Sequence, residues 1–222
     1  NPSKYPQFPF AHPAYTSRAL AYLSVAQFDG LISAWHYKYT YNRKAPSDVD
    51  NSIVPAYAKT SLPAYPADGA VVATASRDIL TAMFPLEKDY LAAKATEHMS
   101  SLTWAGANVK SDIDAGATIG VEVAKVAMAR ARTDGMSKAQ APRPVSDSIK
   151  TAALKRFGWQ WDNMESPVRP VGLAPLFGKV KMWNVPNVEV VRPGPPPAPG
   201  SAEFNAAAKE LQDFAKNITP EQ

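Results

Sequence analysis

Apolar residues recur at helical spacing through the first two thirds of this chain. Leu20, Leu23, Phe28, Leu31 and Trp35 fall on one broad face across 17–37, interrupted only by Gly30, and predict an amphipathic helix. Val71, Ile79 and Met83, set among many alanines, predict a second helix over 70–84 with a narrow, closely packing face, closed by Pro85. A third follows over 86–101. In a fourth, 112–133, Ile113, Ile119, Val123, Val126 and Met128 point inward, and Asp134-Gly135 supplies the stop. A short fifth covers 146–157, with Ser146 or Ser148 as its cap. A last amphipathic helix, 202–217, carries Phe204, Leu211 and Phe214 on one side.

Proline sets what lies between. Pro2, Pro6, Pro9 and Pro13 stand among aromatics and predict an extended arm over 1–16. A proline-bearing loop spans 44–66. Residues 158–200 hold nine of the 21 prolines and end in Pro193-Gly-Pro-Pro-Pro-Ala-Pro-Gly200, which cannot form regular helix. Trp159, Trp161, Phe177 and Trp183 make that segment too apolar for a free linker, so an extended, packed strap is expected. The organisation is then an arm (1–16), a helical domain (17–157), a strap (158–200) and a C-terminal helix (201–222). The fold class is mostly α, a helical bundle with a long Pro-rich irregular segment. Thr219-Pro220-Glu221-Gln222 reads as the opening of a further helix. With no initial methionine or leader at Asn1, a processed piece of something larger is expected.

Composition narrows the partners. The net charge of +4, from 24 basic and 20 acidic residues, carries no basic block, so nucleic acid is not an expected partner. No run reaches the ~18–20 apolar residues that a membrane span needs. Cysteine is absent, which excludes disulfides, thiolate catalysis and cysteine-ligated zinc. The histidines are His12, His36 and His98, and none has a partner at i+3 or i+4 for a metal site. Asp112 and Asp114 lack the glycine-punctuated calcium loop and suit a helix N-terminus instead. Asp48, Asp50 and Asn51 are turn formers. Tyr37, Tyr39 and Tyr41 invite a carbohydrate or aromatic-stacking role, set against simple packing.

Three short stretches carry the chemistry. They are Lys38-Tyr-Thr-Tyr-Asn-Arg-Lys-Ala-Pro46, Pro63-Ala-Tyr-Pro-Ala-Asp-Gly-Ala70 and Ser101-Leu-Thr-Trp-Ala-Gly-Ala-Asn-Val-Lys-Ser-Asp112. Their order and flanks resemble the type 2 phosphatidic acid phosphatase and vanadium-dependent haloperoxidase superfamily. Its signature is Lys-x6-Arg-Pro, then Pro-Ser-Gly-His, then Ser-Arg-x5-His-x3-Asp. The run Trp104-Ala-Gly-Ala-Asn-Val-Lys-Ser-Asp-Ile-Asp-Ala-Gly116 is similar to the family's Trp-Ala-Gly-Val-His-Tyr-x-Ser-Asp-Ile-x-Ala-Gly. The resemblance covers about residues 10–135 and implies a bundle of the phosphatase/haloperoxidase type, in the soluble bacterial branch. It also implies that the three stretches meet at one end.

In the family, the lysine, two arginines and serine hold phosphate or vanadate. One histidine is nucleophile or vanadium ligand, an aspartate orients it, and the other histidine is the general acid. By the resemblance, Lys38 is retained and Ala45 replaces the first arginine. Ala67 replaces the serine, Asp68 the small residue and Gly69 the general acid. Leu102 replaces the second arginine, Asn108 the nucleophile, and Asp112 is retained. Asp68 opposes an anion and is expected either to pair with Lys38, with Arg43 close by as a second cation, or to be solvated on its loop. The expectation is therefore a catalytically inactive domain with no cofactor. It would serve as a structural or protein-interaction module in a larger protein or assembly, at the periplasm or cell surface of a bacterium. The competing expectation is a phosphatase or haloperoxidase, using phosphate or vanadate, with a site rebuilt on Asp68, Asn108 and Asp112.

Overall fold

Helix positions follow the punctuation of the chain, but helix faces follow residue size. The computed structural model describes residues 13–160, 162, 164, 166 and 174–219. These are mostly α-helical, with no strand among them. The helices are α1 (Pro13–Tyr41), α2 (Pro46–Val49), α3 (Asp68–Met83), α4 (Lys88–Trp104), α5 (Lys110–Thr133), α6 (Arg143–Phe157) and α7 (Ala202–Asn217). They divide between two compact units, Asn1–Pro142 and Arg143–Gln222. Helix α6, expected with the bundle, falls in the second unit.

Helix α1 runs past its expected span at both ends, so residues 13–16 belong to helix and not to the arm. Pro13 opens it, where a missing N–H costs nothing because no intrahelical acceptor exists. Residues 1–12 of the arm lie outside the described residues. Pro85 ends α3 as expected, and a single 3-10 turn, Pro85–Glu87, leads into α4. Gly135 follows α5 at φ 92°, a left-handed stop that a side chain would disfavour. A cis bond joins Tyr65 to Pro66.

In the first unit α3 packs against α1, α4 and α5, and α1 also meets α5. The expected faces are corrected here. Leu20, Phe28 and Trp35, expected inward, are exposed, Phe28 at 64%. The buried stripe of α1 is Ala19, Tyr22, Ala26, Gly30, Ala34 and Lys38, almost all four residues apart. Likewise Val126 of α5, expected inward, is 72% exposed, while Asp112, Gly116, Gly120, Ala124 and Ala127 are buried. The physical reason is close approach. A Cβ added at Gly116 would collide with the Ala67 carbonyl, and one at Gly120 with Thr74 Oγ1 and the Val71 carbonyl. One at Gly30 would come within 2.6 Å of Val71 Cγ1. Backbones this close leave no room for leucine, so the large side chains turn outward.

Polar ties reinforce the seam. Thr74 Oγ1 donates to Ala70 O at 2.8 Å and lies 3.2 Å from Ala117 O across the interface. Gln27 Nε2 reaches Ser76 Oγ at 2.8 Å. At the start of α1, Arg18 Nε donates to Asp134 Oδ2 at 2.6 Å and Tyr22 donates to the same oxygen at 3.0 Å. A small cluster of Tyr22, Ala26, Ile79, Ala124 and Ala127, flanked by Leu23, Met83 and Met128, closes that end.

In the second unit α6 starts at Arg143, so Ser146 and Ser148 lie inside the helix and neither caps it. Pro144, in the first turn, sets the earlier start. The described part of 158–200 holds only two 3-10 turns, Phe177–Lys179 and Val188–Val191. Trp159, expected to be packed, is 70% exposed. Trp161 lies outside the described residues. Ser201 caps α7, accepting from Phe204 N at 3.1 Å. The expected further helix at Pro220 is outside the described residues.

Candidate functional site

Three segments come together around Lys38: the last turn of α1, the loop entering α3, and the link from α4 to α5. Lys38 continues the four-residue register of Ala26, Gly30 and Ala34, so the helix phase that buries the alanines also carries the lysine inward. Only 3% of it is exposed. Its Nζ donates to Pro63 O at 2.8 Å, lies 3.5 Å from Ala64 O, and is 3.7 Å from Asp68 Oδ1. Burial holds the Lys38 pKa below its ordinary value, and the carboxylates of Asp68 and Asp112 only partly restore it.

Asp68 is the first residue of α3, where a carboxylate suits the helix dipole. Its Oδ1 also takes the Gly69 N–H at 3.2 Å. Asn108, in the link before α5, donates from Nδ2 to Ala64 O at 2.8 Å, so Lys38 and Asn108 converge on one carbonyl. Asp112 is fully buried in the first turn of α5. One oxygen accepts the Val109 N–H at 3.0 Å and the other accepts from Arg43 Nη1 at 2.9 Å. Its carbonyl accepts the Ala67 N–H at 2.9 Å. The same Arg43 nitrogen donates to Ser111 Oγ at 2.8 Å.

The substituted positions lie around this knot. Ala45 and Ala67 are buried and bring no side-chain donor. Gly69 faces Leu102, whose methyls would sit 3.0 Å from an added Cβ, with His98 Nε2 at 3.5 Å. A histidine at 69 would therefore meet both Leu102 and the His98 ring.

Backbone and side-chain donors at this centre are already engaged. Lys38 Nζ, Asn108 Nδ2, Ala67 N and Gly69 N all point at acceptors within the protein, and Asp68 adds a negative charge beside the ammonium. That donor set does not fit phosphate or vanadate. An entering oxyanion would have to displace two carbonyls and a carboxylate from Lys38, and the other cation beside the site, Arg43, is already paired with Asp112.

The sequence motifs supplied Lys38, Asp68, Asn108 and Asp112, and the expected Lys38–Asp68 pairing is present at 3.7 Å, but the backbone partners were not supplied. The carbonyls of Pro63 and Ala64 are backbone groups, invisible to a reading of side-chain types. The Arg43–Asp112 pair had a faint signal: a cation two positions short of the family's arginine. Ser111 and His98 had none. Among the described residues no group of His, Cys, Asp and Glu could hold a metal ion, and no helix is long and apolar enough to cross a membrane. Compared with known proteins, the chain matches no family model, no curated protein and no solved structure.

Proposed function

We propose that this chain is a catalytically inactive relative of the type 2 phosphatidic acid phosphatases and vanadium-dependent haloperoxidases, kept as a structural or protein-interaction module of a larger protein or assembly. The observation that carries it is the internal engagement of the donors around Lys38. A working oxyanion site keeps such donors pointed at the position where charge develops, whereas here they hold the loop 63–69 against α1 and α5. The outward apolar row of α1, Leu20, Phe28, Ile32, Trp35 and Tyr39, supports an interaction role. The setting we propose is the periplasm or surface of a bacterium, with a protein or neighbouring domain as partner and no nucleic acid.

The rebuilt-enzyme reading fares worse on one point. Asp112, one of the two carboxylates it could use as nucleophile, is fully buried and already takes hydrogen bonds from Arg43 and Val109. The test is thermal unfolding with millimolar orthovanadate or phosphate, beside assays of aryl-phosphate hydrolysis and vanadate-dependent bromide oxidation. No shift and no turnover are expected. A ligand at ~100 times its dissociation constant would add about 2.7 kcal/mol and be plain in the melt. Turnover lost in Asp112→Ala or Asp68→Ala would overturn the proposal.

A further inference from the structure

Beside the Lys38 knot, but outside it, lies a cavity of about 360 Å³ walled by Tyr37, Tyr41, Tyr65, Pro66, Ala115, Thr118 and Ile119. Tyr37 and Tyr41 are one turn apart on α1, their rings nearly parallel at 18° with centroids 6.0 Å apart. Tyr65 stands edge-on to Tyr41 at 5.5 Å. The opposite wall is one face of α5, where Ala115 leaves the space that a larger residue would fill.

The composition of these walls selects a ligand chemistry. Among the described residues no Asp, Glu, Lys, Arg or His lines the cavity, and the Arg43 guanidinium, 6.0 Å from the Tyr65 ring centroid, is already paired with Asp112, so the walls favour an uncharged ligand. Each aromatic wall is a tyrosine, which joins an apolar ring face to a hydroxyl able to donate and accept. Among the described residues none of the three hydroxyls makes a hydrogen bond, so all remain available to a ligand. A purely hydrocarbon ligand would leave them unused. The volume lies within the ~300–1,000 Å³ usual for small-molecule sites. A pyranose matches each property: it is uncharged, its axial C–H face stacks on an aromatic ring, and its rim carries hydroxyls.

We propose that this tyrosine-walled cavity binds a neutral saccharide ring, with Tyr41 as the central platform. The site is independent of the proposed loss of phosphatase chemistry, since none of Lys38, Asp68, Asn108 or Asp112 lines it.

The experiment uses the full chain in a titration followed by tyrosine fluorescence and calorimetry. The probes are maltose, cellobiose, lactose and N,N′-diacetylchitobiose, and in a separate arm a synthetic peptide of residues 192–200. At least one disaccharide is expected to bind, with affinity falling about 10-fold in Tyr41→Ala, which removes the stacking ring. Ala115→Trp, which fills the cavity, is expected to abolish binding. Tyr37→Phe keeps the ring and removes one hydroxyl, and should weaken the sugar several-fold. Tyr37 and Tyr41 are exposed, so their variants should keep the wild-type melting temperature. Absence of binding by all four disaccharides, or binding untouched by both Tyr41→Ala and Ala115→Trp, overturns the proposal. So does binding of the proline-rich peptide alone with sensitivity to those variants, which would assign the groove to a polypeptide.

Discussion

Single residues carry the pH dependence of this fold, and three groups act in different windows. Burial raises the Asp134 pKa, but hydrogen bonds from Arg18, the Met136 amide and Tyr22 outweigh it, leaving the pKa below the ordinary 3.8. The folded state therefore binds this proton less readily than the unfolded chain. Its stabilisation is present above pH ~4 and is lost as pH falls through the folded value. Asp134→Asn should cost ~3 kcal/mol at pH 7, near the low end for a broken buried pair because Arg18 is partly exposed. In urea titrations the gap from wild type should shrink steadily below pH 4. Tyr22 shifts the other way, from 10.0 to about 12, chiefly through burial and then its hydrogen bond to Asp134. That contribution is intact below pH 10 and fades as pH rises towards 12, and Tyr22→Phe should flatten this limb. For Lys38, a base with a lowered pKa, the sign reverses: its burial opposes folding at neutral pH, and the opposition relaxes as pH climbs to 10.5. Asp68→Ala should cost only ~1 kcal/mol, because Asp68 is partly exposed and Lys38 keeps its carbonyls. Sulfate should then raise the variant's melting temperature and leave the wild type unchanged. No such rise would mean that Asp68 does not stand in for an anion. At this scale the charged members of the knot could be read from the motifs, whereas the carbonyls that absorb their hydrogen bonds could not, because every residue carries one.

At the scale of elements, opposing effects of a glycine meet in α5. Replacing a mid-helix glycine by alanine ordinarily gains up to ~1 kcal/mol of helix propensity. At Gly116 the new methyl would meet the carbonyl of Ala67, just before α3, and at Gly120 that of Val71 within α3, neither of which can rotate aside as a side chain would. Overpacking of this kind costs ~1–3 kcal/mol and outweighs the propensity gain. Chemical denaturation of Gly116→Ala and Gly120→Ala should therefore show net losses of ~1–2 kcal/mol, with Gly178→Ala, which meets nothing within 4 Å, near neutral. The same contacts explain what the sequence disclosed of the helices. Pro85 and Gly135 act through local backbone geometry, so these stops were legible, whereas Pro13, which opens α1, reads as part of the arm because a proline among prolines looks extended. Which face turns inward depends on how near a second helix comes, a property of two segments at once. Weighting by hydrophobicity chose Leu20 and Phe28 over Ala26 and Gly30, and the close approach of α3 decided for the small residues.

At the scale of the molecule, the packing among α1, α3, α4 and α5 lies wholly within residues 1–142. A chain ending at Pro142 should fold by itself, with a helical circular dichroism spectrum and a single cooperative melt. Loss of cooperativity would show that the second unit is needed to complete the first. Lys38, Asp68, Asn108 and Asp112 all fall inside that piece, so its response to vanadate should equal that of the whole chain. The bundle is also built on alanine and glycine where most domains use leucine, and this inverts its response to mutation. Truncation has little left to remove at Ala26, Ala34, Ala70, Ala75 or Ala124, so an alanine scan is blind at these positions of the seam. Every change there except to glycine adds atoms. Random substitution should thus be tolerated at the large, outward residues of α1 and α5 and rejected along the small ones. A scan toward valine or leucine would trace the helix contacts that a scan toward alanine cannot see.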